Sequence, residues 1–279
     1  MPAGCIHLVP VPIGNLGDIT LRALEILKSV NLIAAEDTRK TRFLLSQYEI
    51  QPPRLLSLHK YNELQRLKEI FALLEEGNDI AVVTDAGSPG ISDPAMLLIQ
   101  NAIERQVRVV PLPGATALVP ALTASGLDTR GFLFLGFLPL KLKDRKALLD
   151  RIRDNPFTTV LYEAPHRIRK TLADIHQHCG NRRICLAREI SKLHEEFIRG
   201  DLESILADYE VTEKGEFVVI LDGAGPAAQP SETEIAAFIR DSLAGNKNSK
   251  AIAEEVSARF GLNRNSAYKQ VLAQKEGRA

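Results

Sequence analysis

Three short stretches rich in glycine and proline stand where apolar runs end, and their residues suit the holding of a polar ligand through main-chain atoms. The first runs from Pro10 to Asp18 and contains Pro12, Gly14 and Gly17. The second runs from Thr84 to Pro94 with Asp85, Gly87 and Ser88, and the third from Pro111 to Ala117 with Gly114, Ala115 and Thr116. Glycine lets a backbone approach a ligand closely, and Asp85 brings a carboxylate that accepts hydrogen bonds or balances positive charge. The first stretch lacks the full GxGxxG pattern, so a tight strand-to-helix turn also accounts for Gly14 and Gly17. Asp93 and Pro94 read as a helix opening, the aspartate as N-cap and the proline at the first helical position.

Residues able to move a proton cluster at further strand ends: Glu36, Asp37 and Arg39; His59 and Glu63; Glu189, Lys192 and Glu195. A carboxylate, or a lysine of depressed pKa, suits proton removal from a hydroxyl, whereas Arg39, Arg167 and Arg188 suit bidentate grip on phosphate. A salt-bridged rim around a cleft accounts for any one of them equally well. His7, His176 and His178 have no comparable surroundings and read as ordinary core or surface residues, while His166 either serves a site or caps the helix after it. No Walker pattern and no histidine pair at metal spacing occurs, and Cys5, Cys179 and Cys185 lack CxxC spacing. That argues against an ATPase, a metallohydrolase, a thiolate zinc site and a disulfide framework, and no metal is expected.

The elements that must position these residues follow from periodicity. Ile6 to Val11, Leu32 to Ala35, Ile80 to Thr84 and Val107 to Pro111 are nearly unbroken apolar runs, as strands buried on both faces should be. Between them Leu21, Leu24 and Leu27, then Leu64, Leu67, Phe71 and Leu74, recur at helical spacing. The alternation predicts a largely parallel sheet with helices on both faces, and ligands of such sheets bind beyond the carboxyl ends of the strands. A second α/β half begins near Gly131, with strands expected at 132–137, 158–162, 183–187, 195–199 and 217–221 and helices at about 144–153, 166–178 and 201–208.

Thirty-five Lys and Arg balance thirty-five Asp and Glu, so a polyanionic partner needs a local basic patch. The segment from Gly223 to Pro230 has linker composition, and Ser231 with Glu234 forms a capping-box pattern. Ala251 to Phe260, Gly261, and Ser266 to Leu272 resemble a helix-turn-helix, and from Asn246 onward seven basic residues face three acidic ones. The expected domains are 1–125, 126–222 and 223–279. No membrane-length apolar run and no secretory leader pattern is found, so a cytoplasmic protein without membrane association is expected.

PVPIGNLGDIT, AEDTRKT, TDAGSPGISDP, PLPGATALVPALTASG, FLGFLP, YEAPHR and AREISKLHEE occur in this order. Together they resemble the ribosomal RNA small-subunit methyltransferase I family, a branch of the tetrapyrrole methylases, over about residues 6 to 222 and into the helical tail. The resemblance implies the two-domain tetrapyrrole-methylase fold with a small C-terminal helical domain, S-adenosyl-L-methionine as cofactor in the cleft, and a homodimer. It implies methylation of a cytidine ribose 2'-oxygen in the decoding region of 16S rRNA, within the 30S subunit. Under it, Pro12 and Gly14, then Asp85, Gly87 and Ser88, then Ala115 and Thr116 contact the cofactor, with Glu163, Ala164, Ala187 and Arg188 on the second-domain side. Methylation of a tetrapyrrole carbon is the alternative enzyme, and a DNA-binding regulator that senses S-adenosylmethionine is the alternative from another class.

Overall fold

A computed structural model describes residues 4–51, 53–209, 214–225, 232–245, 248–260 and 262–276. The chain divides into two compact units, Met1–Gly223 and Ala224–Ala279.

The larger unit holds two five-stranded sheets. In the first, β1 (Ile6–Leu8), β2 (Leu32–Ala35), β3 (Arg54–Ser57), β4 (Ile80–Val83) and β5 (Val109–Pro111) are all parallel in the order β3-β2-β4-β1-β5. Successive residues of a strand point to opposite faces, and β2 shows the result. Leu32 and Ala34 join a core with Leu67, Phe71 and Leu98 from α3 (Glu63–Glu75) and α4 (Met96–Glu104). Ile33 and Ala35 join a core with Leu27 and Leu45 from α1 (Leu21–Ser29) and α2 (Thr38–Gln47) on the other face. The expected parallel sheet covered on both sides is therefore present. β1 and β4 are neighbours whose exits lead to helices on opposite faces, which makes the carboxyl end between them the switch point where ligands of such sheets bind.

The second sheet is mixed, in the order β6 (Phe132–Phe137), β7 (Thr158–Glu163), β10 (Phe217–Leu221), β8 (Arg183–Arg188), β9 (Glu196–Asp201). β6 and β7 are parallel, with a register shift between Phe134 and Gly136, and every other pairing is antiparallel. One face packs on α6 (Leu142–Arg153), α7 (Ile168–Cys179) and α8 (Leu202–Asp208), through Leu149, Leu172 and Ile205. The other face, with Val160, Cys185, Ala187 and Val218, takes Ala121 and Leu122 of α5 (Leu118–Ala124), so the last helix of the first half seals the second sheet.

The smaller unit is helical: α9 (Glu232–Ala244), α10 (Ser249–Phe260) and α11 (Arg264–Glu276) pack around Ile239, Ile252, Val256 and Val271. The capping contact of Ser231 with Glu234, most of the 223–230 linker and the turn at Gly261 lie outside the described residues. No helix among the described residues is long and apolar enough to cross a membrane.

Two expectations need correcting. The first strand was expected to reach Val11, but only Ile6–Leu8 is laddered, and Val11 pairs singly with Gly87. Asp93 is not a helix cap: α4 starts at Met96 behind Ala95, which sits at φ 112 without a side-chain cap. The amide of Leu98 in its first turn is instead satisfied by Glu63 Oε1 of α3 at 2.9 Å.

Candidate functional site

At the switch point the three glycine and proline loops are stitched side by side. Val11 and Gly87 exchange both main-chain hydrogen bonds at 3.0 Å, and Ser88 Oγ donates to the Ala115 carbonyl at 3.0 Å. Gly87 holds φ +78, a conformation suited to glycine, and a Cβ there would lie 3.8 Å from the Ala115 oxygen. A cavity of about 440 Å³ opens against these loops. Its far wall is the second sheet: Tyr162 and Glu163 from β7, Ala164 and Pro165 after it, Phe137 from β6, Glu216 just before β10, and Phe217 and Val218 at its start. The volume and the mixture of apolar walls with a few polar groups are those of a small-molecule site.

The near wall is acidic. Glu36 Oε2 accepts from the Asp85 amide at 3.2 Å, and Asp85 Oδ2 takes Lys40 Nζ at 2.7 Å. Asp93 shares this wall; half-burial, and then the charges of Glu36 and Asp85, push its carboxyl up to about 7. Across the cavity burial raises the Tyr162 phenol, with hydrogen bonding to Thr116 and to the Leu118 main chain acting the other way. Chemically, the cavity suits a ligand that combines an apolar ring with positive charge.

A groove of about 570 Å³ adjoins it, sharing Lys40 and Asp85 and lined also by Pro12, Asp37, Arg39 and Phe43. Asp37 is the N-cap of α2, accepting from the Arg39 amide at 2.8 Å and from its guanidinium at 2.7 Å. The guanidinium bond holds the Asp37 carboxyl well below the usual carboxylate range. Asp37 is thus a poor proton acceptor at neutral pH, and Arg39, its side chain 88% exposed, presents a charged edge at the groove.

On the second-sheet side Lys192 Nζ bonds Glu189 Oε1 at 2.8 Å and Glu216 Oε2 at 2.9 Å. Burial works to lower the lysine, but these bonds and charges carry its pKa above the ordinary value, opposite to the depressed lysine a proton acceptor needs. Gly14 makes this packing possible, since a Cβ there would lie 2.3 Å from Lys192 Cγ. Ser191 Oγ also bonds Asp18, so the first loop grips the loop after β8. Glu163 lines the wall, yet its side chain is fully enclosed: Oε1 accepts from the Ala164 amide at 2.8 Å and faces Arg167 Nε at 3.2 Å, and Oε2 accepts from Thr171 Oγ1 at 2.6 Å. Arg145, buried in α6, donates to that same Thr171 oxygen at 2.9 Å and pairs with Asp174 at 2.7 Å.

The structure therefore brings Glu36, Asp85, Gly87, Ser88, Thr116, Glu163 and Ala164 to one cavity, with Ala115 bonded to Ser88 and Pro12, Asp37 and Arg39 in the adjoining groove. His59 and Glu63 line neither; Glu63 is buried as the partner of Leu98, and His59 carries a buried Nδ1 with no hydrogen bond. Ala187 is enclosed within β8, and Arg188 reaches the Lys214 carbonyl at 2.7 Å and Glu196 at 3.3 Å. His7 has closer company than its sequence context suggests: Cys5 Sγ lies 3.1 Å from its Nε2 and donates to Asp79 at 3.2 Å, at the amino ends of β1 and β4, away from the cavity. Burial first, then the Asp79 hydrogen bond, pushes the Cys5 thiol up to about 11. Sequence reasoning passed over Lys40, Phe137, Tyr162 and Glu216, and it assigned Asp93 to a helix cap instead of the cavity. Lys40 and Tyr162 stand inside AEDTRKT and YEAPHR, whereas Glu216 carries no signal beyond its place before a strand.

The family described as Tetrapyrrole (Corrin/Porphyrin) Methylases matches residues 5–206. A "Ribosomal RNA small subunit methyltransferase I" of Synechocystis sp. is 44% identical over 260 residues, 90% of this chain and 93% of that protein. A protein of the same name from Escherichia coli O157:H7 is 41% identical over 277 residues, 97% and 96% of the two chains. Among solved structures, the methyltransferase CobJ superposes with a TM-score of 0.61 at 19% identity, covering 80% of this chain and 95% of its own. The uroporphyrin-III C-methyl transferase of Thermus thermophilus, complexed with S-adenyl homocysteine, gives 0.56 at 18% identity, covering 78% and 97%. These two structural likenesses concern the fold.

Proposed function

Because the chain belongs to the ribosomal RNA small subunit methyltransferase I family, within the tetrapyrrole methylases, we propose that it transfers a methyl group from S-adenosylmethionine to a cytidine ribose 2'-oxygen in the decoding region of 16S rRNA. The observation that carries the reading is the cavity at the switch point, walled by three strand-end loops on one side and β7 and β10 on the other. Bound S-adenosylmethionine supplies an electrophilic methyl group on a positively charged sulfur. The residues present fit that molecule. Ile13, Phe137 and Val218 offer apolar wall to an adenine ring, Gly87, Ser88, Thr116 and Ala164 offer close main-chain groups, and Glu36, Asp85 and Asp93 offer negative potential to an ammonium and a sulfonium. Holding the acceptor oxygen in line with the methyl carbon removes several kcal/mol of barrier, about 7–11 in the best cases.

The adjoining groove supports the RNA side of the proposal. Arg39 offers a guanidinium suited to a phosphate, Phe43, 67% exposed, offers a face for stacking a base, and Lys40 with Asp85 forms the partition between groove and cavity. A nucleotide in the groove presents its ribose to the cavity mouth. The homodimer, the assembled 30S subunit as substrate and the cytoplasmic setting belong to the same proposal and rest on the family likeness.

Two measurements test this reading. Calorimetry should show uptake of S-adenosylhomocysteine by the purified chain, and mapping of 2'-O-methyl groups in 16S rRNA from cells with and without it should show one cytidine gained. No uptake, or an unchanged rRNA methylation map, ends the proposal.

A further inference from the structure

At the amino ends of β1 and β4, the end of the sheet away from the cavity, a thiol, an imidazole and a carboxylate meet. Cys5 and His7 stand two residues apart and so share one face of β1, and Asp79 immediately precedes β4. The parallel register fixes the meeting: Ile6 pairs with Ile80 and His7 with Ala81, and the Ile80 amide donates to the Cys5 carbonyl at 2.9 Å. Cys5 Sγ lies 3.1 Å from His7 Nε2 and 3.2 Å from Asp79 Oδ1, and His7 Nε2 lies 3.9 Å from Asp79 Oδ2. A tetrahedral zinc ion with bonds of about 2.0–2.3 Å holds its ligand atoms roughly 3.3–3.8 Å apart, so the triangle already has the size of a coordination face. The carboxylate is braced, its Oδ1 accepting from the Cys5 amide at 2.8 Å. His7 is buried, and among the described residues its ring meets no hydrogen-bonding group but Cys5 and Asp79, Nδ1 having no partner at all. The side chain of Asp79 is 49% exposed, which leaves an entry past the carboxylate and room for water to complete the coordination.

We propose that Cys5, His7 and Asp79 bind one zinc-type divalent cation, which clamps the start of β1 to the start of β4. The Cys5 thiol gives up its proton to solvent and binds through sulfur, His7 binds through Nε2 with its proton on Nδ1, and Asp79 binds through a carboxylate oxygen. A coordinated thiol is deprotonated outright, because the ion supplies the positive charge that a thiolate beside Asp79 otherwise lacks. One thiolate and one carboxylate cancel the two charges of the ion, so a half-buried site carries no net charge. Arg108, next to β5, and Arg22 of α1 add positive charge that opposes the ion, which favours a cation held by sulfur and nitrogen over a hard one such as magnesium. With no acceptor to orient the ring at Nδ1, the affinity falls about 10–100-fold below that of a zinc site whose histidine is braced. CxxC spacing is no guide to such a site, since its ligands come from two separate strands. Nothing in the cavity takes part.

The test uses the full-length protein, stripped with a chelator, and its Cys5→Ser, His7→Gln and Asp79→Asn variants. Each is titrated with cobalt(II) and then with zinc or magnesium as competitor, and melted by circular dichroism with and without zinc. The wild type should take up one cobalt ion with a thiolate-to-cobalt charge-transfer band in the near ultraviolet, which zinc abolishes and magnesium does not. Zinc should raise its melting temperature, because the ion binds the folded chain in preference to the unfolded one. Cys5→Ser should lose the band, and His7→Gln and Asp79→Asn should each bind cobalt at least about tenfold more weakly. A double variant, Cys179→Ser with Cys185→Ser, removes the other two free thiols and should keep the band. A wild type without the band at millimolar cobalt overturns the proposal, as does a band that survives Cys5→Ser or disappears from a folded double variant. A rise in melting temperature with zinc that the wild type and all three ligand variants share equally overturns it too.

Discussion

Thr171→Val removes one oxygen from behind the cavity wall while leaving backbone and volume almost unchanged. That oxygen accepts from Arg145 at 2.9 Å and donates to Glu163 Oε2 at 2.6 Å, and Thr171 is wholly buried. Arg145 keeps Asp174, but Glu163, its side chain 0% exposed, is left with an enclosed carboxylate oxygen that water cannot reach. Hydrogen bonds to charged groups contribute about 1.5–3 kcal/mol each, and an orphaned buried acceptor adds its own desolvation, so a loss of roughly 3–5 kcal/mol is expected. For a unit of this size that corresponds to a melting temperature lower by on the order of 10 °C. Thr171→Ser is the control: it retains the hydroxyl and loses one buried methyl, which costs about 1 kcal/mol. Both variants are compared with the wild type by circular-dichroism melting and urea titration. A valine variant as stable as the serine variant would mean that Glu163 is not held through Thr171, and the account of the far wall would fall with it.

Removing the Asp93 charge should also show in stability. The folded carboxyl, raised to about 7, binds its proton more tightly than the unfolded chain, so wild-type stability declines as pH rises from about 4 through 7. Asp93→Asn lacks that decline and should gain on the wild type by on the order of 2 kcal/mol at pH 8 relative to pH 4, half-exposure having been discounted; parallel urea titrations at the two pH values decide it. Glu63→Ala should cost about 1–2 kcal/mol by uncapping α4, seen as faster hydrogen exchange at its first amides, with S-adenosylhomocysteine affinity unchanged. Gly14→Ala forces Lys192 off its path between Glu189 and Glu216 and should slow methyl transfer at least about tenfold; a variant with wild-type rate refutes the coupling of the two loops. A chain ending at Gly223 should retain S-adenosylhomocysteine binding, measured by calorimetry, because every cavity-lining residue precedes that point.

The parts of the fold legible in the sequence were those in which burial alone decides residue type. Ile80 to Val83 is apolar throughout because neighbours and helices enclose both of its faces, and the loops after β1, β4 and β5 show their glycines and prolines openly. α2 was passed over because only Thr41 and Leu45 of its ten residues are buried, leaving a Lys- and Arg-rich segment with little apolar rhythm. Asp93 was misread for a different reason: the local pattern fits a cap, and a carboxylate thirty residues earlier in the chain had already taken that place. Glu216 and Phe137 reach the cavity only because β10 and β6 lie where the second sheet puts them, which no local pattern encodes. Glu163 stands in a legible motif, but that its carboxylate turns inward to Thr171 depends on α7 packing behind it.

The place of β10 has a consequence for biosynthesis. Among the described residues it is the last strand made and the middle one of its sheet, and it alone bridges the β6–β7 pair and the β8–β9 pair. A nascent chain can complete its parallel half early, yet it owns no finished pocket until Leu221 has cleared the ribosome, since Glu216, Phe217 and Val218 arrive with that strand. At about 5–20 residues per second, the 56 residues of the smaller unit, Ala224–Ala279, take on the order of several seconds to make, and it is within that interval, once Leu221 emerges, that the enzyme can first close its sheet and acquire its methyl donor.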